Sequence, residues 1–592
     1  MCGINVIYNY NGITDSDIEL IDEMNQQMIY RGPDYQVVKE FSEVVFGHNR
    51  LSIIGIDNGQ QPLSNELNSI HLICNGEIYN HRELRNKLTE LGHVFNSTSD
   101  CEVIIHLYEE YGLKLFDHIL GMFAFVLWDS ITKEIIFARD RSGKKPIYYA
   151  KTQRGLVISS EMKAIKTNFL DGASINKEYV RSVIEFSYPT SMQDSLFNEI
   201  KKVKPGHYIR CKKDEFEEIA YQYDTLPNIN LKIDSSKNIF QNTYDLLSEA
   251  VNQRLDAEVP VAIMLSGGID SSAVAALATH HKQEVHAICV GYKGNYTTVD
   301  ERNVARKFAK EKGLIWNEIE LSQEDYFKYF DEYINIIDEP VADPAVFAQW
   351  GIFKKASELG FKVLLSGIGS DEIFYGYDSH NEFGDQLENF NKLAKYFPIG
   401  HKNLYFFLLN YLIKKNKNIK FNSFTDFKQK FVTFKNFDEN KYGNYFNGVD
   451  QSTSELFHCF SKSENAIENI YSFLNSSWLV NNCFHQADKL AMGCSIEVRA
   501  PFADHNLISF VKQLKFEEKY KSGNPKWFLK EVLKNELPDY ILQPTKKGFS
   551  PPYNFIDELV KSKKYSPFFK KNYEHFNELV LDSILEKYNL TL

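Results

Sequence analysis

Cysteine at position 2 is the first residue able to do chemistry, because removal of Met1 would leave a thiol and a free α-amino group on one residue. An α-amine has an ordinary pKa of about 7.7–8.0, so near neutral pH it can take the proton of its own thiol and release a nucleophile. Four polar clusters have the residue types to hold a small zwitterion: Arg31-Gly32-Pro33-Asp34, Asn49-Arg50-Leu51, Asn75-Gly76-Glu77-Ile78-Tyr79-Asn80 and Ser99-Asp100-Cys101-Glu102. In this reading Arg50 pairs with a carboxylate, Glu77 and Asp100 pair with an ammonium, and Asn75 with the Gly76 N–H forms an oxyanion hole. Taken singly, these are ordinary turn residues.

A second chemistry sits in two glycine-rich loops. Ser266-Gly267-Gly268-Ile269-Asp270-Ser271-Ser272 follows the apolar run Val259 to Leu265 and precedes a helical pattern, so backbone N–H groups and hydroxyls can close on an anion. The loop lacks the Lys of GxxxxGK[ST] and is not a Walker A loop. A carboxylate such as Asp270 repels a phosphate unless a divalent cation lies between them. Ser366-Gly367-Ile368-Gly369-Ser370-Asp371-Glu372 repeats this logic after the apolar run Phe361 to Leu365. Together the loops suit ATP, with Mg²⁺ bridged between Asp270 and Asp371.

The elements that must position these residues change character along the chain. Residues 1–210 read as short strands, among them Ile4 to Tyr8, Val44 to Leu51, Ser69 to Cys74, Met122 to Asp129 and Leu156 to Ser159, with helices at Asp15 to Tyr30, His81 to Leu91 and Cys101 to Tyr111. This predicts an α+β domain of stacked antiparallel sheets. Residues 211–237 read as a linker. From 238 to 592, continuous apolar strands alternate with helices, which predicts a parallel sheet covered on both faces, with its ligands at the carboxyl ends of the strands. An Asn-, Lys- and Phe-rich stretch at about 381–451 reads as a helical insertion, and helices follow to the end.

Composition sets the outer bounds. A chain of 592 residues with 43% hydrophobic and 25% charged residues is expected to be globular and multidomain. Its net charge of −12 gives no basic footprint, so no nucleic acid is expected. Eight cysteines without CxxC spacing point to a reduced, intracellular protein, and no apolar stretch is long enough for a membrane helix. No secretory leader pattern opens the sequence, so a cytoplasmic location is expected. The histidines, including His48, His71, His93 and His106, form no HxxxH or HExxH pattern, and no zinc is expected.

The motifs MCGI, RGPD, NGEIYN and SDCE, with Ala138-Arg139-Asp140-Arg141 and Lys145-Pro146-Ile147-Tyr148-Tyr149, resemble the N-terminal-nucleophile glutaminase domain of class II amidotransferases. SGGIDSS resembles the PP-loop of ATP pyrophosphatases. With Asp338-Glu339-Pro340-Val341-Ala342-Asp343-Pro344, SGIGSDEIFYGY, Asp488-Lys489-Leu490-Ala491-Met492 and Glu497-Val498-Arg499-Ala500-Pro501-Phe502-Ala503-Asp504, the C-terminal half resembles the synthetase domain of the glutamine-hydrolysing asparagine synthetase family.

The resemblance implies an αββα N-terminal-nucleophile sandwich followed by an α/β doubly wound PP-loop domain. It implies that Cys2 attacks glutamine held by Arg50, Asn75, Gly76, Glu77 and Asp100, and that Asn75 and Gly76 stabilise the oxyanion. ATP would meet Leu265, Ser266, Gly267, Gly268, Asp270, Ser271, Ser272, Val290, Ser366 and Gly367, and Lys546 would stabilise charge during adenylation and amide formation. The expected substrates are glutamine, ATP and a carboxylic acid such as aspartate, and a homodimer is compatible with the sequence. Two positions depart from the family's pattern: Ile368 stands where an acid is usual, and Pro544 where an Arg is usual. Three alternatives therefore stand beside the amidation of aspartate: another carboxylate acceptor, an ATP-dependent cyclase, and a catalytically silent homologue.

Overall fold

The computed structural model describes residues 2–170, 172–213, 215–221, 238–294, 296, 299–394, 465–543, 551–563, 565–566 and 571–590. Two six-stranded antiparallel sheets form the N-terminal half. One runs in the order Ile200–Lys202, Tyr148–Thr152, Gly155–Ser159, Cys2–Asn9, Val44–Arg50, Tyr35–Glu40. The other runs Glu215–Ala220, His207–Lys212, Glu134–Arg139, Gly121–Asp129, Ile70–Ile78, Leu63–Ser64. Because successive strand side chains face opposite ways, Ile4, Val6, Phe46, Ile73, Val126 and Phe137 meet between the sheets. The outward faces are covered by helices. Ile21 and Met24 of Asp15–Gln27 pack on Ile7 and Val45, while Leu84, Ile104 and Leu107 pack on Leu72 and Phe125. The result is the expected αββα sandwich.

Three boundaries differ from the sequence reading, each for a local reason. Strand Ile70–Ile78 continues through Asn75, Gly76 and Glu77, which carry turn-forming residue types. It can do so because Gly76 lies against the neighbouring strand, where a Cβ would come within 2.4 Å of the Met122 carbonyl oxygen. The first helix stops at Gln27 and the chain tightens into a 3₁₀ turn, Ile29–Arg31, which turns Arg31 into the interior. The limit at residue 210 falls inside strand His207–Lys212, and Glu215–Ala220 pairs beside it. That edge strand is rich in Glu, which gives it the composition of a linker.

In the C-terminal half five parallel strands run in the order Ile315–Leu321, His286–Tyr292, Val261–Met264, Val363–Leu365, Glu497–Arg499. One face carries Leu247, Val251 and the helix Ile269–Thr279, and the other carries Phe347, Ile352 and Leu490. The order runs outward from Val261–Met264 in one direction and then resumes on its other side at Val363–Leu365. A crevice opens at such a switch point, and both glycine-rich loops leave the sheet there. Helix Asp378–Ala394 begins the stretch read as an insertion, and residues 395–464 lie outside the described residues. Among the described residues no helix is long and apolar enough to cross a membrane.

Candidate functional site

Cys2 is the first residue of its strand and pairs directly with Arg50 on the neighbouring strand. Its backbone N–H donates to Asn75 Oδ1 at 3.0 Å, and its carbonyl accepts from Arg31 Nε at 3.2 Å. Burial pushes the thiol pKa up, while the Leu51 N–H and the Arg50 guanidinium oppose that shift. Asn75 Nδ2 is buried with no partner among the described residues, as suits a donor kept for a charge that develops on a substrate. His48 is one pair further along on the same face as Cys2. Burial and Arg50 hold its pKa at about 3, so it is too weak a base to take the thiol proton at neutral pH.

The other residues expected to hold the zwitterion gather around this point. Arg50 donates to the carbonyls of Ile54 (3.2 Å), Gly55 (2.6 Å) and Ile56 (3.2 Å), and among the described residues no carboxylate pairs with it. Asp100 accepts the Ile78 N–H at 2.7 Å, and burial pushes its pKa up. Glu77 is more committed than the sequence suggested, because its Oε2 accepts from Arg499 of the other half at 2.8 Å. Burial raises the Glu77 pKa, whereas Glu497, which faces the same guanidinium at 2.6 Å, falls to about 2. Arg499 thus faces two carboxylates at once, Glu77 and Glu497.

The two loops at the switch point touch. A Cβ on Gly367 would lie 2.7 Å from Asp270 Cβ, so only glycine permits the contact. Within the first loop the Ser271 hydroxyl accepts the Ser266 N–H at 2.9 Å, and the Ser266 hydroxyl accepts the Gly268 N–H at 3.2 Å. The hydroxyls of Ser272 and Ser366 are buried without partners among the described residues. Leu265 donates its N–H to Ile288 in the strand that carries Val290, and both Leu265 and Val290 are buried.

Asp270 and Asp371 converge, as a bridged cation requires. The group between them is the ammonium of Lys526, at 2.5 and 2.6 Å from the two Asp270 oxygens and 2.7 Å from Asp371 Oδ1. The two carboxylates push the pKa of this lysine up, so it is fully charged. The sequence reading missed Lys526, because an isolated lysine after Gly523-Asn524-Pro525 carries no motif. Two convergent carboxylates, orphaned hydroxyls and a glycine-only contact fit a polyphosphate with a hard divalent cation. Lys546 and Pro544 lie outside the described residues.

Motif acids of the second half reach the first half instead of the glycine-rich loops. Glu339 accepts the hydroxyls of Tyr148 (2.6 Å) and Tyr179 (2.8 Å). Asp338 pairs with Lys489 at 2.9 Å and accepts the Lys163 N–H at 3.2 Å. Arg31 bridges Glu161 (3.0 Å) and Asp488 (2.8 Å). Beside this network lies a cavity of about 20 Å³, lined by Lys144, Lys145, Ile368, Phe484, Ala487, Asp488, Val498 and Ala500, large enough for one water-sized molecule. Ile368 therefore lies in the wall of a cavity between the halves.

A family model described as asparagine synthase matches residues 242–572, and one described as a glutamine amidotransferase domain matches residues 1–223. Over 574 residues the chain is 29% identical to glutamine-hydrolyzing asparagine synthetase 3 of Bacillus subtilis, covering 93% of this chain and 87% of that one. It is equally 29% identical to asparagine synthetase 1 of the same organism over 565 residues, again 93% and 87%. A fungal relative, the amidase chyE of Penicillium rubens, is 29% identical over 612 residues, covering 94% of this chain and 89% of that one.

Proposed function

The chain belongs to the asparagine synthase family, and from that premise we propose that it hydrolyses glutamine at Cys2 and passes the ammonia to a carboxylic acid activated as its acyl adenylate. Aspartate is the leading acceptor, and asparagine, glutamate, AMP and pyrophosphate are the products. That it is a glutamine-dependent amidotransferase of the asparagine synthase type follows from the two matched regions. The observation that carries the site assignment is Asn75, which accepts the Cys2 N–H and keeps a buried amide donor with no partner among the described residues.

In the proposed reaction the Cys2 α-amine takes the thiol proton, and the thiolate adds to the glutamine side-chain carbonyl. Asn75 and Gly76 stabilise the oxyanion, while Arg50 holds the carboxylate and Asp100, with Glu77, the ammonium. At the other site Ser266, Gly267, Gly268, Ser271, Ser272, Ser366 and Gly367 cradle the phosphates. Mg²⁺ held by Asp270 and Asp371 would offset phosphate charge. Lys526 adds a fixed positive charge there, and Lys546, by family resemblance, a further one at the acceptor. The cavity beside Ile368 would shelter ammonia from water and protonation between the sites. Eight cysteines without CxxC spacing support a cytoplasmic enzyme.

A second reading, the same chemistry on a different carboxylate, draws on Ile368 and on the relative named an amidase. The deciding experiment incubates the protein with glutamine, ATP-Mg²⁺ and a panel of carboxylic acids, and measures pyrophosphate release and amide product for each. Release with aspartate above all others supports the first reading, and preference for another acid supports the second.

A further inference from the structure

On the outer face of the N-terminal half, four side chains from three separate segments converge: Glu66 in the turn after Leu63–Ser64, His93 in the loop after helix His81–Glu90, and His106 and Glu109 on helix Val103–Tyr111. One donor atom from each lies within 4.8 Å of the others. His106 Nδ1 is 2.9 Å from Glu109 Oε2 and 3.9 Å from Glu66 Oε2, and His93 Nδ1 is 3.6 Å from Glu109 Oε2. A tetrahedral ion with bonds of about 2.0–2.2 Å separates its ligand atoms by about 3.3–3.6 Å. The observed spacings straddle that range.

The atoms behind the donors supply an independent observation. His93 presents its other nitrogen to Glu110 at 3.2 Å, and His106 presents its other nitrogen to Glu102 at 3.9 Å. The Glu110 carboxylate behind His93 is the arrangement that fixes the tautomer of a metal-bound histidine, whereas Glu102 acts on His106 through its charge alone. The carboxylates are anchored likewise. Glu109 Oε1 accepts from Asn65 Nδ2 at 2.8 Å and Glu66 Oε1 accepts the Val94 N–H at 2.7 Å, so the Oε2 atom of each faces the cluster. The His106 side chain is completely buried and that of His93 is 14% exposed, so the nitrogen donors are largely shielded from water.

We propose that Glu66, His93, His106 and Glu109 form a structural site for a divalent zinc-type cation. Two imidazoles and two carboxylates suit Zn²⁺ better than Mg²⁺, and four protein ligands close the coordination sphere. No motif marked the site because its ligands come from three segments. Its consequence is positional: Glu102 also accepts the N–H groups of Asn96 (2.6 Å) and Ser97 (2.9 Å), and the same segment carries Asp100. A metal here would staple the chain that presents Asp100 to glutamine.

The test titrates chelator-treated full-length protein with Zn²⁺ by calorimetry and with Co²⁺ by visible absorption, alongside His93→Gln and Glu66→Gln. Wild type should take up one equivalent with a tetrahedral Co²⁺ spectrum free of thiolate charge-transfer bands. Both variants should bind at least tenfold more weakly, and Zn²⁺ should raise the Tm of wild type but not of His93→Gln. No uptake by wild type, equal uptake by all three proteins, or a thiolate band in wild type would overturn the proposal and leave a metal-free His–Glu network. Glu66 lies on an exposed turn, and should His93→Gln not fold, Glu66→Gln and the wild-type spectrum decide the matter.

Discussion

Arg499, fully buried in the parallel-sheet half, donates from Nη2 to Glu77 of the sandwich half at 2.8 Å, and so joins the strand carrying Asn75 to the strand beside the second glycine-rich loop. The same guanidinium donates to the Arg254 carbonyl at 3.0 Å and the Asp256 carbonyl at 2.6 Å. Removing a buried charge leaves its partners unpaired at a cost of about 3–5 kcal/mol. Arg499→Met is expected to lower the Tm by several degrees and to weaken glutamine-dependent synthesis more than ammonia-dependent synthesis. Equal losses of the two activities would count against a coupling role.

Cys2→Ala should reduce glutamine hydrolysis by roughly 10³-fold or more, because no other nucleophile replaces the thiol. Synthesis from added ammonium salts should persist. Measuring glutamate and amide formation separately checks this, and simultaneous loss of both would contradict two independent sites.

Asp270→Asn and Asp371→Asn should each lower pyrophosphate formation by roughly 10²-fold or more, since each removes a negative ligand from the proposed cation site. Glutamine hydrolysis should be much less affected. Lys526→Gln, by removing the ammonium that lies between Asp270 and Asp371, should lower the Mg²⁺ concentration needed for half-maximal rate, because two uncompensated carboxylates hold a divalent cation more tightly. Appearance of ADP and phosphate in place of AMP and pyrophosphate in wild type would reject the loop assignment.

The Ile368 side chain cannot accept a hydrogen bond or balance a cation. Ile368→Glu and Ile368→Asp should improve kcat/KM for aspartate relative to the preferred acceptor by roughly tenfold or more. A wild type that already uses aspartate as well as any acid in the panel would remove the basis of this prediction.

Glu497 sets an acid limit. Its folded pKa of about 2 lies below the ordinary 4.5, held there against burial by the positive charge of the amino terminus and then by Arg499 and Lys145. Between those values the unfolded chain binds more protons than the folded one, so this contribution is present above pH 4.5 and is lost as the pH falls toward 2. Asp338, lowered by Lys489, adds in the same sense. Tm measured from pH 6 to pH 3 should fall less steeply for Glu497→Gln than for wild type, from a lower starting value.

Periodicity revealed the sheets and their helices because Ile4, Val6, Phe46, Val126 and Phe137 obey a two-residue alternation and Val261 to Leu265 is continuously apolar. Loops after the strand ends were legible for the same reason. Strand Ile70–Ile78 was cut short because Asn-Gly reads as a turn wherever long-range packing against Phe123 is unknown. Lys526 and the contact of Arg499 with Glu77 were illegible for a common cause: each acts through partners distant in sequence, and no local spacing encodes such contacts. The motif acids Asp338, Glu339 and Asp488 were visible as motifs, but their destinations across the interface were not.

Those destinations bear on how freely the halves can be recombined. Glu339 answers to Tyr148 and Tyr179, Asp488 to Arg31, and Asp338 to the Lys163 backbone, so each half carries the complementary half of a lock. A glutaminase half transplanted from a relative would fit only if it brought tyrosines and a basic residue at the matching places. Evolutionary change on either side is constrained to arrive in compensated pairs, and an engineered chimera that ignores those pairs would strand buried charges at its seam.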